Sequence, residues 1–188
     1  MIFTETELKG AYIIDLEKNQ DDRGFFSRLF CINEFENKKL KHNFVQINNS
    51  FNKHKGTLRG LHYQLSPKTE TKLIRCIKGS IFDVFIDLRP DSSSYGNYKS
   101  VVLSERNKTM AYIPDGFAHG FITLEDETEI IYFSSEFYEP SLERGIKFND
   151  PSFNIEWPDD PKIISEKDAN WKKYDFKSEE IELLKGLL

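Results

Sequence analysis

The chain has 188 residues, 38% of them hydrophobic and 30% charged, a balance that excludes a disordered polyelectrolyte. One domain over residues 1–188 is expected, because this length fills a single core but not two. The net charge of -5, from 26 basic and 31 acidic residues, predicts no nucleic-acid partner, although converging arginines can still hold a small phosphate ligand.

In chain order, the start MIFTETELKG lacks a basic region ahead of an apolar run, and no later stretch approaches roughly 18 apolar residues. No membrane contact and a cytoplasmic location are the resulting expectations. DDRGFFSRLF sets Arg23 and Arg28 beside Phe25 and Phe26, a grouping suited to a phosphate next to a stacked ring, or simply a charged strand face. INEFENKKL predicts a short helix over residues 32–40. In GTLRGLHYQ, Arg59 and His62 lie near Gly56 and Gly60, which permit close backbone approach or a bulge that re-aims side chains.

KLIRCIKGSIFDVFIDLRP reads as two alternating runs around a turn at Lys78-Gly79-Ser80. Lys72 opens the first run on the face of Ile74 and Cys76, where an ammonium needs a carboxylate or a developing negative charge unless it snorkels. Beyond the turn, Phe82, Val84, Ile86 and Leu88 form the expected core face, with Asp83 and Asp87 opposite. After a polar loop at residues 91–96, YKSVVLSE, TMAYIP, HGFITLE and EIIYFSSEFY continue the alternation. His119 shares a strand face with Phe117 and Phe121, and Tyr132 alternates with Ile130. ISEKDANW sets Lys167 and Asp168 at a helical start, where an aspartate caps or meets a histidine. SEEIELLKGLL predicts a closing helix with Ser178 as N-cap.

At least seven strands without intervening long helices define an all-β chain, an antiparallel β-sandwich of jelly-roll type with short peripheral helices. The interior of such a sandwich could hold a ligand. Cys31 and Cys76 have apolar neighbours and read as buried thiols, too few for a disulfide scaffold or a four-thiolate zinc site. The four histidines form neither HExxH nor an alternating strand pair, so no metal is expected; His62, His119 and Glu70 are the set that could still converge on one. GxSxG, Walker A and GxGxxG motifs are absent, which leaves phosphate binding to side chains.

Taken jointly, DDRGFFSRLF, GTLRGLHYQ, KLIRCIKGSIFDVFIDLRP, PDGFAHGF, YFSSEFYEPSLERGIKFNDP and IEWP with ISEKD resemble the dTDP-4-dehydrorhamnose 3,5-epimerase family over nearly the whole chain. The resemblance implies a cupin-type jelly roll, commonly a homodimer, that epimerises a nucleotide-linked 4-keto-6-deoxy sugar for cell-surface polysaccharide synthesis without metal or cofactor. It implies that His62 is the base, Asp168 its orienting carboxylate, Tyr132 the acid on the opposite face, and Lys72 the cation beside the C4 oxygen. It assigns Arg23 and Arg59 to the pyrophosphate and Phe26, Gln46, Asn48 and Tyr138 to the nucleotide. His119, Glu143 and Lys167 fall at further ligand positions, and FSRLF is a strand that could pair across a dimer. Arg28 and Ile47 stand where the rhamnose-pathway pattern has Glu and Asp. Both are expected near the nucleotide, so a CDP- or GDP-linked sugar, or inversion at one centre, is the alternative substrate reading. A non-catalytic sugar-nucleotide-binding jelly roll is the alternative from another class.

Overall fold

The computed structural model describes residues 1–187. The chain opens with β1 (Ile2–Glu5), β2 (Tyr12–Asp15), β3 (Lys18–Asp21), β4 (Gly24–Ser27) and the helix α1 (Ile32–Asn37). The central strands follow: β5 (Gln46–Asn52), β6 (Thr57–Gln64), β7 (Lys72–Lys78), β8 (Ser80–Asp87), β9 (Tyr98–Ser104), β10 (Met110–Ile113), β11 (Phe117–Thr123) and β12 (Thr128–Ser134). Two short strands, β13 (Glu143–Gly145) and β14 (Ile163–Ile164), the helix α2 (Glu166–Ala169) and a 3-10 turn over Glu179–Leu184 complete the described chain.

Alternating apolar residues pair these strands into two stacked sheets. One runs β1-β2-β10-β7-β12-β5 and the other β13-β6-β11-β8-β9, all antiparallel, with β14 added parallel to β6. β3 and β4 form a separate ribbon. This is the cupin-type jelly roll. Between the sheets, Ile74, Cys76, Ile81, Phe85, Phe117, Phe121 and Ile130 make the inner core. Each sheet is also covered outside. Leu61, Val84, Ile86, Leu88, Ile146, Phe153 and Leu184 pack behind the second sheet. Ile14, Phe35, Leu40, Leu73 and Tyr112 pack behind the first, beneath α1.

The double cover corrects the reading of β8. Phe82, Val84, Ile86 and Leu88 belong to the outer layer, and Asp83 and Asp87 lie at the interior, both completely buried. Each aspartate has a cationic or ionisable partner: Asp87 accepts from Arg89, Ser92 and Ser94, and Asp83 meets His119. Helix α1 stops three residues short of the expected 40, because Lys39 turns to φ 58° and the Leu40 amide bonds back to the Phe35 carbonyl at 2.9 Å. That turn drops Leu40 into the core. The closing helix is a 3-10 turn, with Ser178 as its N-cap as expected. Cys76 is buried, whereas Cys31, at the exposed start of α1, is half-buried. Among the described residues no helix is long and apolar enough to cross a membrane.

Candidate active site

The sheets part at one end around a cavity of about 660 Å³, within the range of small-molecule sites. The inner faces of β5, β7 and β12 supply one wall and β6 with β11 the other. Register sets the first wall: Gln46 pairs with Ser134 and Asn48 with Tyr132, while Ser134 pairs with Lys72 on the next strand. Alternation then turns Gln46, Asn48, Lys72 and Tyr132 into the cavity together.

On the second wall His62 lies directly across from His119, beside a bulge in the β6–β11 ladder. Gly60 makes that bulge possible. Its φ is +116°, and a Cβ there would sit 2.6 Å from Gly120 Cα. The Gly60 amide also donates to Asp168 Oδ2 at 3.2 Å, and Asp168 Oδ1 lies 2.6 Å from His62 Nε2. Ser165 caps α2 by accepting from the Asp168 amide, which leaves the aspartate side chain for the histidine. Burial alone would raise the Asp168 carboxyl, but the hydrogen bond and charge of His62, with the Gly60 and Ser165 bonds, hold it below the usual range. An ionised Asp168 accepting from Nε2–H leaves Nδ1 as the basic nitrogen of His62. Trp171 stands edge-on to the imidazole, ring centres 6.2 Å apart.

A second histidine–carboxylate pair sits beside the first. His119 Nε2 lies 2.7 Å from Asp83 Oδ1, and Asp83 Oδ2 is buried without a hydrogen-bond partner among the described residues. Alternation with apolar residues makes Asp83 resemble a solvent-facing position in the sequence; the apolar Ile81 and Phe85 on its own face are the signal that this face is buried as well. At the rim, Glu143 accepts from the Tyr138 hydroxyl at 2.6 Å and pairs with Lys167. Arg59 lines the same cavity and donates to Asn52 at 2.7 Å. Among the described residues no three His, Cys, Asp or Glu side chains are arranged to hold a metal. His62, His119 and Glu70 are instead engaged by Asp168, Asp83 and Lys72.

Four expected positions lie elsewhere. Arg23 and Phe26 are on the β3–β4 ribbon, where the Arg23 side chain is 90% exposed and Phe26 70% exposed. Arg28 just beyond it pairs with Glu34 beside a separate hollow that Met1 and Phe26 also line. Ile47 corrects the reading of the nucleotide end in this chain: strand parity sends it outward, 67% exposed, away from Gln46 and Asn48.

A jelly roll whose opposed sheets present a histidine–aspartate pair, a phenol and an ammonium to one cavity defines a cupin-type acid–base enzyme. Comparison with known proteins makes the class specific. The sequence model of the dTDP-4-dehydrorhamnose 3,5-epimerase family matches residues 5–175. A dTDP-4-dehydrorhamnose 3,5-epimerase of Methanothermobacter thermautotrophicus is 46% identical over 173 residues, 90% of this chain and 92% of that protein. The Bacillus anthracis enzyme, solved with TDP and PPi bound, superposes with a TM-score of 0.89 at 37% identity, covering 92% of this chain and 99% of that one. The Legionella pneumophila epimerase, solved with dTDP-4-keto-L-rhamnose, gives a TM-score of 0.88 at 36% identity over 96% of both chains. The chain belongs to the dTDP-4-dehydrorhamnose 3,5-epimerase family.

Proposed function

We propose that the protein converts dTDP-4-dehydro-6-deoxyglucose to dTDP-4-dehydrorhamnose by inverting C3 and C5 through enolates. The observation that carries this reading is the arrival of His62 and Tyr132 on one cavity from opposite sheets, with Lys72 on the tyrosine's side. The C4 ketone acidifies the hydrogens at C3 and C5, so inversion needs a base on one face and a proton donor on the other. His62 Nδ1 takes the proton, the C–H electrons move to the C4 oxygen, and the Lys72 ammonium stabilises the oxyanion. The Tyr132 hydroxyl returns a proton from the opposite face, and solvent resets both groups.

Arg59 holds the pyrophosphate, Gln46 and Asn48 lie along the nucleotide, and Tyr138, Glu143, Lys167 and His119 line the remaining contacts. The working unit is a cytoplasmic homodimer of one domain per chain. Its support is the ribbon, which carries Arg23 and Phe26 in the open and outside the cavity of its own chain; a second copy would bring them and Arg28 to the nucleotide.

The test is incubation with dTDP-4-dehydro-6-deoxyglucose in heavy water. Two deuterons in the product are expected. One would restrict the enzyme to a single centre, and none, with the CDP-linked sugar also inert, would overturn the epimerase reading.

A further inference from the structure

Glu70 stands two residues before Lys72, on the cavity wall where β7 begins, and belongs to none of the roles above. Its Oε1 lies 2.8 Å from Lys72 Nζ, and the two side chains are 16% and 12% exposed. Its Oε2 accepts a 2.6 Å hydrogen bond from Ser134, the residue opposite Lys72 in the β7–β12 ladder. Burial alone would raise the Glu70 carboxyl, but Lys72, Ser134 and the charge of His119 bring it below the ordinary range.

The cavity's other carboxylates are occupied: Asp168 holds His62, and Glu143 takes Tyr138 and Lys167, while Asp83, outside the lining, holds His119. Two effects of Glu70 on an oxyanion at C4 oppose each other. A carboxylate beside the ammonium offsets some of its pull on the oxygen. It also fixes one of three N–H bonds on a four-carbon stem with many rotamers, and leaves two for substrate. Fixing wins: a buried ammonium without a counter-ion has nothing to hold its direction, and an oxyanion donor works through being aimed in advance.

We infer that Glu70, clamped by Ser134, is a positioning residue that aims the Lys72 ammonium at the oxygen that becomes anionic. This rests on the epimerase reading, and the test separates the two. In the full-length chain, Glu70→Gln is expected to lower kcat about tenfold or more while Kd for dTDP stays within about twofold. In a Lys72→Ala background the same substitution should lower deuterium exchange no further, since its route of action is gone. Ser134→Ala, which releases one oxygen of Glu70, should give a smaller loss with the same dependence on Lys72, and it carries the test if Glu70→Gln fails to fold. Unchanged kcat, an equal loss in both backgrounds, or an effect confined to KM would overturn the positioning role while wild-type exchange still upholds the epimerase. Absence of exchange in the wild type would overturn both.

Discussion

A histidine abstracts a proton efficiently near neutral pH when one ring nitrogen is kept basic and the imidazolium it forms meets a fixed negative charge. Asp168 supplies both conditions to His62 from a four-residue helix whose cap is a different side chain. His62→Ala should therefore lower exchange by about 10²- to 10⁴-fold, with dTDP affinity retained, measured by mass spectrometry and calorimetry side by side. Asp168 also gives a pH prediction. Its carboxyl is depressed in the fold, so its contribution to stability is present above the unfolded value, about 4, and disappears as pH falls through the lower folded value. The melting temperature should fall on acidification below about pH 4 more steeply in wild type than in Asp168→Asn. At this scale alternation and the glycines around His62 mark His62, Lys72 and Tyr132 as pocket candidates, while their roles rest on the family resemblance and their convergence on one cavity is visible only in the fold. Asp83 is not so marked, because an aspartate among apolar neighbours signals solvent until the second buried face is known.

Strands were the readable elements, and the errors among them have one cause. Alternation tells which residues share a face but not whether one face or both are covered, and here both sheets are covered twice. The alternation in β8 therefore predicts the strand and its turn but not which of its two apolar faces is the interior one. Helix lengths failed for a local reason: the left-handed turn at Lys39 is a lysine, without the glycine that normally announces it. The β6–β11 bulge was foreshadowed by Gly60. Gly60→Ala should cost about 2 kcal/mol or more from backbone strain, seen as a lower midpoint in urea. It should cost activity disproportionately, because the same amide holds Asp168. Phe85→Ala, at the centre of the inner core, should cost about 3–5 kcal/mol, with no specific effect on the kcat of the folded fraction.

At the scale of the whole molecule, the exposed ribbon and the outward apolar residues Ile47 and Phe51 of edge strand β5 suit a second copy of the chain. If the ribbon serves the neighbouring pocket, Arg23→Ala and His62→Ala chains are each nearly inert alone, yet co-refolded at equal amounts they regain about a quarter of wild-type sites. Recovery follows because half the chains pair unlike with unlike, and one of the two pockets in each such pair is intact. Self-contained pockets would give no recovery, and sedimentation velocity reports whether the pair forms. FSRLF hints at pairing across a dimer in the sequence, but the ribbon's exposure and Arg28's pairing with Glu34 could not be read there, since both depend on which surfaces stay uncovered.

In the proposed mechanism the carboxylate that completes the base comes more than a hundred residues after the histidine, on the stretch that wraps the back of the second sheet. During synthesis the imidazole, the phenol and the ammonium all leave the ribosome before it does. A nascent chain therefore carries a histidine without its carboxylate until Asp168 has emerged and α2 has packed against β6. On the proposed mechanism, turnover would double as a report that α2 has docked on β6.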